Sequence, residues 1–121
     1  MAHPISKENS ELVRLLVELR RASRTRKAPI WSAAADRLER PRHRVRPVNV
    51  GHLERLAEAD ETVLVPGKLL SEGKLSKKLT VAAFAYSKDA RSKIHAAGGV
   101  AISVHDLLRT RPDGAGVRLV A

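Results

Sequence analysis

Residues Leu79–Tyr86 read LTVAAFAY, the longest uncharged apolar run of the chain, and the reading of these eight residues decides the class of fold. The run is far short of the roughly 20 apolar residues that a membrane-spanning helix needs. It shows no alternation of apolar and polar positions, so it predicts a strand covered on both faces. A second such strand is predicted at Thr62–Val65, bounded by Pro66 and Gly67. On the other side, Ser87 can cap a helix that runs through Ala97 and stops at Gly98 and Gly99. Val100–Ile102 reads as a third strand. Ser103 and Asp106 have the spacing of a capping box that opens a helix to about Arg109, and Arg111, Pro112, Asp113 and Gly114 form a turn into a last strand, Val117–Val120. Strands alternating with short helices predict an α/β fold.

Upstream the period changes. Leu12, Leu15, Leu16 and Leu19 recur at helical spacing between Ser6 and Thr25, while Arg14 and Arg21 share another face. Pro29 suits the first turn of a second helix, in which Trp31, Ala34 and Leu38 make the apolar stripe. Pro41 ends that helix, because the residue before a proline is pushed out of the helical region, and Pro41–Pro47 is expected to be extended. Asn49 then caps a short helix that carries Val50, Leu53, Leu56 and Ala57 inward. The expected fold is therefore α/β, a layered strand-and-helix domain with a buried mixed sheet, preceded by two N-terminal helices and a basic extended segment. At 121 residues this is one domain: residues 1–47 hold the helices and basic segment, and 48–121 the α/β body.

Charge separates these two parts. The chain has 23 Lys+Arg against 13 Asp+Glu, a net charge of +10. Arg20–Arg46 contains ten basic residues and two acids, Asp36 and Glu39, so +8 of that charge lies within 27 residues. A solubility device would scatter charge; concentrating it marks a footprint for a polyanion. The candidate contacts are Arg20, Arg21, Arg24, Arg26, Lys27 and Arg37, then Arg40, Arg42, His43, Arg44 and Arg46 in the proline-bounded segment. Lys68, Lys74, Lys77 and Lys78 follow in the loop after the first buried strand. Lys88, Arg91 and Lys93 are spaced like ordinary solvated residues. Arginine dominates the first half, and its planar fork suits bidentate phosphate contacts.

Other chemistries find little support. There is no cysteine, hence no disulfide or thiolate site. The five histidines lack the spacing that puts two metal ligands on one helix face. Gly67 and Lys68 do not make a phosphate-binding loop, since Thr62 stands where its first glycine belongs and Leu69 where its hydroxyl belongs. No nucleophile and base pair is identifiable, so neither catalytic residues, metal nor cofactor is expected, and no small-molecule substrate. Trp31, Phe84 and Tyr86 are the only aromatics; Trp31 and, more strongly, Phe84 are expected in the core. That leaves no platform for stacking bases, so recognition is expected to rest on phosphate and shape. Nothing resembles a signal peptide or membrane anchor, and a cytoplasmic protein is expected.

Four stretches in order, RLERPRHRVRPVNVGHLERL (Arg37–Leu56), TVLVPGKLLSEGKL (Thr62–Leu75), LTVAAFAYSKDARSKI (Leu79–Ile94) and PDGAGVRLV (Pro112–Val120), resemble the large-subunit ribosomal proteins of the eighteen-e family of archaea and eukaryotes, which is related in fold to the family fifteen. The resemblance spans essentially the whole chain. It implies an archaeal structural protein of the large ribosomal subunit with no catalytic role. Its partners would be large-subunit ribosomal RNA and neighbouring ribosomal proteins, with Arg40, Arg42, Arg44 and Arg46 held against RNA. The rival reading of the same charge is a free-standing nucleic-acid-binding regulator or RNA chaperone.

Overall fold

In the computed structural model, which describes residues 7–39 and 47–121, the chain runs α1 (Lys7–Thr25), α2 (Pro29–Leu38), β1 (Val48–Asn49), α3 (Val50–Leu56), β2 (Thr62–Leu70), β3 (Thr80–Tyr86), α4 (Lys88–Ala96), β4 (Val100–Ser103), α5 (Val104–Thr110) and β5 (Val117–Leu119). The ends of these elements follow local chemistry. Lys27, at φ +51, turns the chain out of α1, and Pro29 opens α2. Ser87 accepts the Ala90 N–H at the start of α4, and Ser103 accepts the Asp106 N–H at the start of α5.

The five strands form one sheet. β2 lies between β3 and a shared edge where β5 pairs with Thr62–Leu64 and β1 with Leu69–Leu70; β4 flanks β3 on the other side. Among the described residues every pairing is parallel, where a mixed sheet was expected. The reason lies in the connections: each hydrogen-bonded pair is reached by a crossover, through α3, the 71–79 loop, α4 or α5, and no pair is joined by a hairpin turn.

The two central strands are buried over Thr62–Val65 and Val81–Ala83. On one face Val63, Val65, Val81 and Ala83 pack with Leu53 of α3 and Ala90 and Ile94 of α4. On the other, Leu64 and Ala82 meet Leu15 and Leu19 of α1, Trp31, Ala34 and Ala35 of α2, and Leu107 of α5. The continuous apolar runs in the sequence are thus two alternating sets, each facing its own helical layer. Keeping one hand of crossover explains the arrangement. The forward steps from β1 to β4 use α3, Leu75 of the loop and α4 on one face, and the return from β4 to β5 uses α5 on the other.

Trp31 is fully buried, and its Nε1–H donates to the Pro112 carbonyl at 2.8 Å. The Pro112–Gly114 turn presses against the same helix: at Gly114, with φ +71, an added Cβ would sit 2.7 Å from Ile30 Cγ2. Burial of the indole contributes stabilisation of about 3 kcal/mol or more.

Three further expectations change. β2 does not stop at Pro66 but continues to Leu70, with an irregularity in register between Val65 and Lys68; a proline without an N–H is accommodated at such a break. Leu56 is 54% exposed instead of inward, because α3 ends there and its core-facing positions are Val50 and Leu53. Phe84 is 39% exposed and not core, since it stands near the far end of β3 and lines an open concavity with Leu15 and Val104.

Candidate nucleic-acid interface

Arg40, Arg42, His43, Arg44 and Arg46, the centre of the predicted footprint, lie outside the described residues. Their two anchors are defined. The segment leaves α2 after Leu38, on the helical layer shared with α1, and re-enters at Pro47 just before β1, whose Val48 is in register with Leu69 of β2. It therefore joins the sheet at the edge next to Lys68, which is exposed on β2.

The first basic cluster sits at the end of α1. Arg21, Arg24, Arg26 and Lys27 are all exposed, and Lys27 in its left-handed conformation occupies a place usually taken by glycine. Part of this positive charge is locally favourable, because cations complement the negative end of a helix dipole. α2 runs back along α1, so α2's length of about 15 Å separates this cluster from the start of the proline-bounded segment.

Arg20 has a different position. Its Nη2 donates to Asp36 Oδ1 at 3.2 Å and to Glu39 Oε1, bracing α1 against the end of α2. Glu39 first and Asp36 second raise the guanidinium's pKa above its ordinary value. Both acids of the Arg20–Arg46 segment are thus engaged by this one arginine, and the segment's other basic groups face neither of them in an ion pair among the described residues. Arg37, in the last turn of α2, is half-exposed.

The lysines predicted after β2 do not join the α1 cluster. Residues 71–79 lie with the α3 and α4 layer, and Leu75 packs on that core. Lys68, Lys74 and Lys78 are exposed. Lys77 instead donates to the Ala57 carbonyl at 2.7 Å, satisfying the end of α3. The loop itself is held from four directions. Glu54 accepts from Ser76 N–H (3.0 Å) and Ser76 Oγ (2.6 Å), and Asn49 Oδ1 accepts the Glu72 N–H at 3.1 Å. Gly51 N–H donates to Glu72 O at 3.0 Å. Lys93 Nζ donates to the carbonyls of Ser71 (2.6 Å) and Gly73 (2.7 Å). The expectation that Lys93 is an ordinary solvated residue fails because two loop carbonyls point at it. Asn49 likewise does more than cap: His52 Nδ1 accepts the Asn49 N–H at 3.0 Å, and the asparagine side chain reaches the loop. The Ser76 hydrogen bonds hold the Glu54 carboxyl below its ordinary pKa.

A groove of about 640 Å³ between α1 and α5 brings together groups that sequence spacing could not connect. Arg21 and Arg26 of the predicted footprint meet Arg109, with Leu108 and Pro112 beside them. Arg109 was not predicted; it is ion-paired with Asp106, whose carboxyl is held below its ordinary pKa by Arg109 and then by Ser103. His105 Nε2 stands 3.1 Å from Glu18 Oε2 across the same seam. Elsewhere, Arg118 pairs with Glu61 at 2.9 Å, and Arg91 lies 5.0 Å from the Tyr86 ring centroid. No group of three metal-binding side chains occurs among the described residues, and no described helix is long and apolar enough to cross a membrane.

Chemically, this surface offers exposed guanidinium and ammonium groups on rigid supports. Residues 30–102 match the profile of a family described as ribosomal proteins 50S-L15 and 50S-L18e with their 60S counterpart. The large ribosomal subunit protein eL18 of Methanopyrus kandleri is 42% identical over 122 residues, covering 97% of this chain and 96% of that one. The protein of the same name from Archaeoglobus fulgidus is 43% identical over 114 residues, covering 94% and 97%. That from Haloarcula marismortui is 41% identical over 116 residues, covering 96% and 99%.

Proposed function

This chain belongs to the family of ribosomal proteins 50S-L15 and 50S-L18e and their 60S counterpart, and we propose that it is a structural constituent of the large ribosomal subunit that binds large-subunit ribosomal RNA through its arginine-rich segment. The observation that carries the proposal is the distribution of charge: +8 of +10 lies in 27 residues, and the two acids of that segment are engaged by Arg20. Arg21, Arg24, Arg26, Lys27, Arg37 and the arginines of the proline-bounded segment then neutralise phosphates, with Lys68, Lys74 and Lys78 as further contacts. Arg20 and Lys77 brace the scaffold that presents them. The sheet and its helical layers hold these groups in fixed relative positions, which supports assembly without chemistry. Neighbouring ribosomal proteins would be its other partners, and the cytoplasmic ribosome its location.

Replacing Arg42, Arg44 and Arg46 together with alanine tests the reading. Each lost phosphate contact flattens the log–log salt dependence of RNA binding by roughly 0.7 to 0.9, so the triple variant is expected to lose about 2 to 3 from the slope. An unchanged slope would sink the assignment of the segment. Co-sedimentation decides the wider role: the protein is expected to stay with salt-washed large subunits, and its release into the free fraction would favour a free-standing RNA-binding regulator or chaperone.

A further inference from the structure

The seam between α1 and α5 has features that phosphate neutralisation alone does not use. Arg14 and Arg21 lie seven positions apart on α1, hence on one face and about 10 Å from each other along the axis. Beside Arg14 is a concavity of about 320 Å³, bordered by Glu11, Phe84, Ser103 and His105. Beside Arg21 is the 640 Å³ groove bordered by Arg26, Leu108 and, again, His105. The two hollows flank the His105–Glu18 pair, so they are neighbours along one seam. Phe84 presents an aromatic side chain, 39% exposed, in a protein with only three aromatic residues.

We propose that this seam binds unstacked nucleotides of single-stranded RNA, with one base stacked on Phe84 and the backbone carried along α1 by Arg14 and Arg21. The proposal rests on the RNA-binding reading above and adds a second mode of contact to it. An exposed aromatic ring beside cationic side chains is the usual arrangement for single strands, because every base has a stacking face and every linkage a charge. A paired helix presents no free base face and would leave Phe84 unused. Charge complementarity favours RNA over an apolar peptide: Arg14, Arg21, Arg26 and Arg109 line the path against two acids, Glu11 and Glu18, the second of them engaged by His105. Leu108 and Pro112 give a second base an apolar surface.

The test uses the full chain with two probes, octaadenylate RNA and a blunt RNA duplex, titrated at several salt concentrations. Phe84→Leu keeps apolar volume and removes the stacking face. It is expected to weaken octaadenylate binding roughly five- to a hundredfold, leaving the salt slope and the duplex affinity as in the wild type. Arg14→Gln and Arg21→Gln are expected to flatten the octaadenylate slope by about 0.7 each. Thermal unfolding of each variant, unchanged, separates these effects from misfolding. The proposal is overturned if the wild type does not bind octaadenylate saturably, if Phe84→Leu binds it as tightly as wild type, or if that variant loses both probes equally. A hexaglutamate peptide that displaces octaadenylate from wild type and Phe84→Leu alike would reassign the seam to a protein partner. Loss of co-sedimentation would remove the broader reading; intact co-sedimentation with an indifferent Phe84→Leu would remove only this one.

Discussion

The loop of residues 71–79 carries Lys74, Lys77 and Lys78, and the segment Arg20–Arg46 carries ten basic residues; in composition both are basic stretches punctuated by proline or glycine. Their surroundings differ. The loop is tied by Glu54, Asn49, Gly51 and Lys93, and Lys77 itself is spent on the carbonyl of Ala57. Among the described residues of the arginine segment only Arg20 has such employment. One of the loop's three lysines therefore satisfies a backbone acceptor, whereas Arg21, Arg24, Arg26 and Lys27 of the other segment are exposed and make no ion pair among the described residues. A basic residue counts toward a footprint only after the polar groups of the fold have taken theirs.

The largest expected effect on that contrast comes from Gly73→Ala. Gly73 has φ +96 and an added Cβ would lie 2.7 Å from Gly51 Cα, so neither the backbone conformation nor the space allows a side chain. Destabilisation by about 2 to 4 kcal/mol is expected in urea unfolding, with the salt slope of RNA binding unchanged in the folded fraction. A slope that fell in step with stability would erase the distinction between the two regions.

Lys93→Met keeps the stem and removes the ammonium that serves two carbonyls. Loss of about 1 to 2 kcal/mol is expected, against no change for Lys78→Met, whose side chain is exposed. Equal stabilities for the two variants would show that the loop does not need its tether.

Arg20→Met and Arg24→Met divide the arginine segment in the same way. The first is expected to lower the unfolding midpoint slightly and leave the RNA salt slope intact. The second should leave the midpoint alone and flatten the slope by roughly 0.7 to 0.9. The reverse pattern would exchange their roles.

The smallest effects are those of pH. Glu54, Glu61 and Asp106 are held below their ordinary values of 4.5, 4.5 and 3.8 by Ser76, Arg118 and Arg109 respectively. Their stabilisation is complete above those ordinary values and is lost as pH falls through the lower folded ones. Tyr86 moves the other way: burial pushes its hydroxyl from 10.0 to about 12. That oxygen accepts the Ala83 N–H at 3.0 Å and sits 2.6 Å from the Ile102 carbonyl. Its contribution is fully present below pH 10 and is lost as pH rises through about 12. Tyr86→Phe is expected to remove this alkaline limb while leaving the acid limb in place, as read by thermal unfolding across pH.

Much of the secondary structure is legible in the residues alone. Thr25 ends the first helix as its pattern predicts, Pro29 starts the second, and Ser87 and Ser103 cap the helices they were expected to cap. Each of these depends on two or three neighbouring residues. β1 was not legible, because two residues carry no period; it exists only through its register with Leu69 and Leu70. Lys77 reads as part of the footprint and Lys93 as a solvated residue, since nothing in the sequence says where the carbonyls of Ala57, Ser71 and Gly73 point. Arg109 escapes notice for the same reason: it joins Arg21 and Arg26 only when α5 lies on α1. The one available signal was its place in the last turn of a predicted helix.

By itself the sequence determined the α/β class, the helix ends and the segregation of charge into Arg20–Arg46, because proline stereochemistry, capping hydrogen bonds and apolar runs act over a few residues. Tertiary structure alone decided that the sheet is parallel throughout, that Arg20 and Lys77 are braces while Arg21 and Arg26 line a groove, and that Phe84 reaches the surface. Those outcomes depend on crossovers and on the docking of elements distant in the chain, where the partner of a charge or an aromatic ring is chosen by packing and not by its neighbours in sequence.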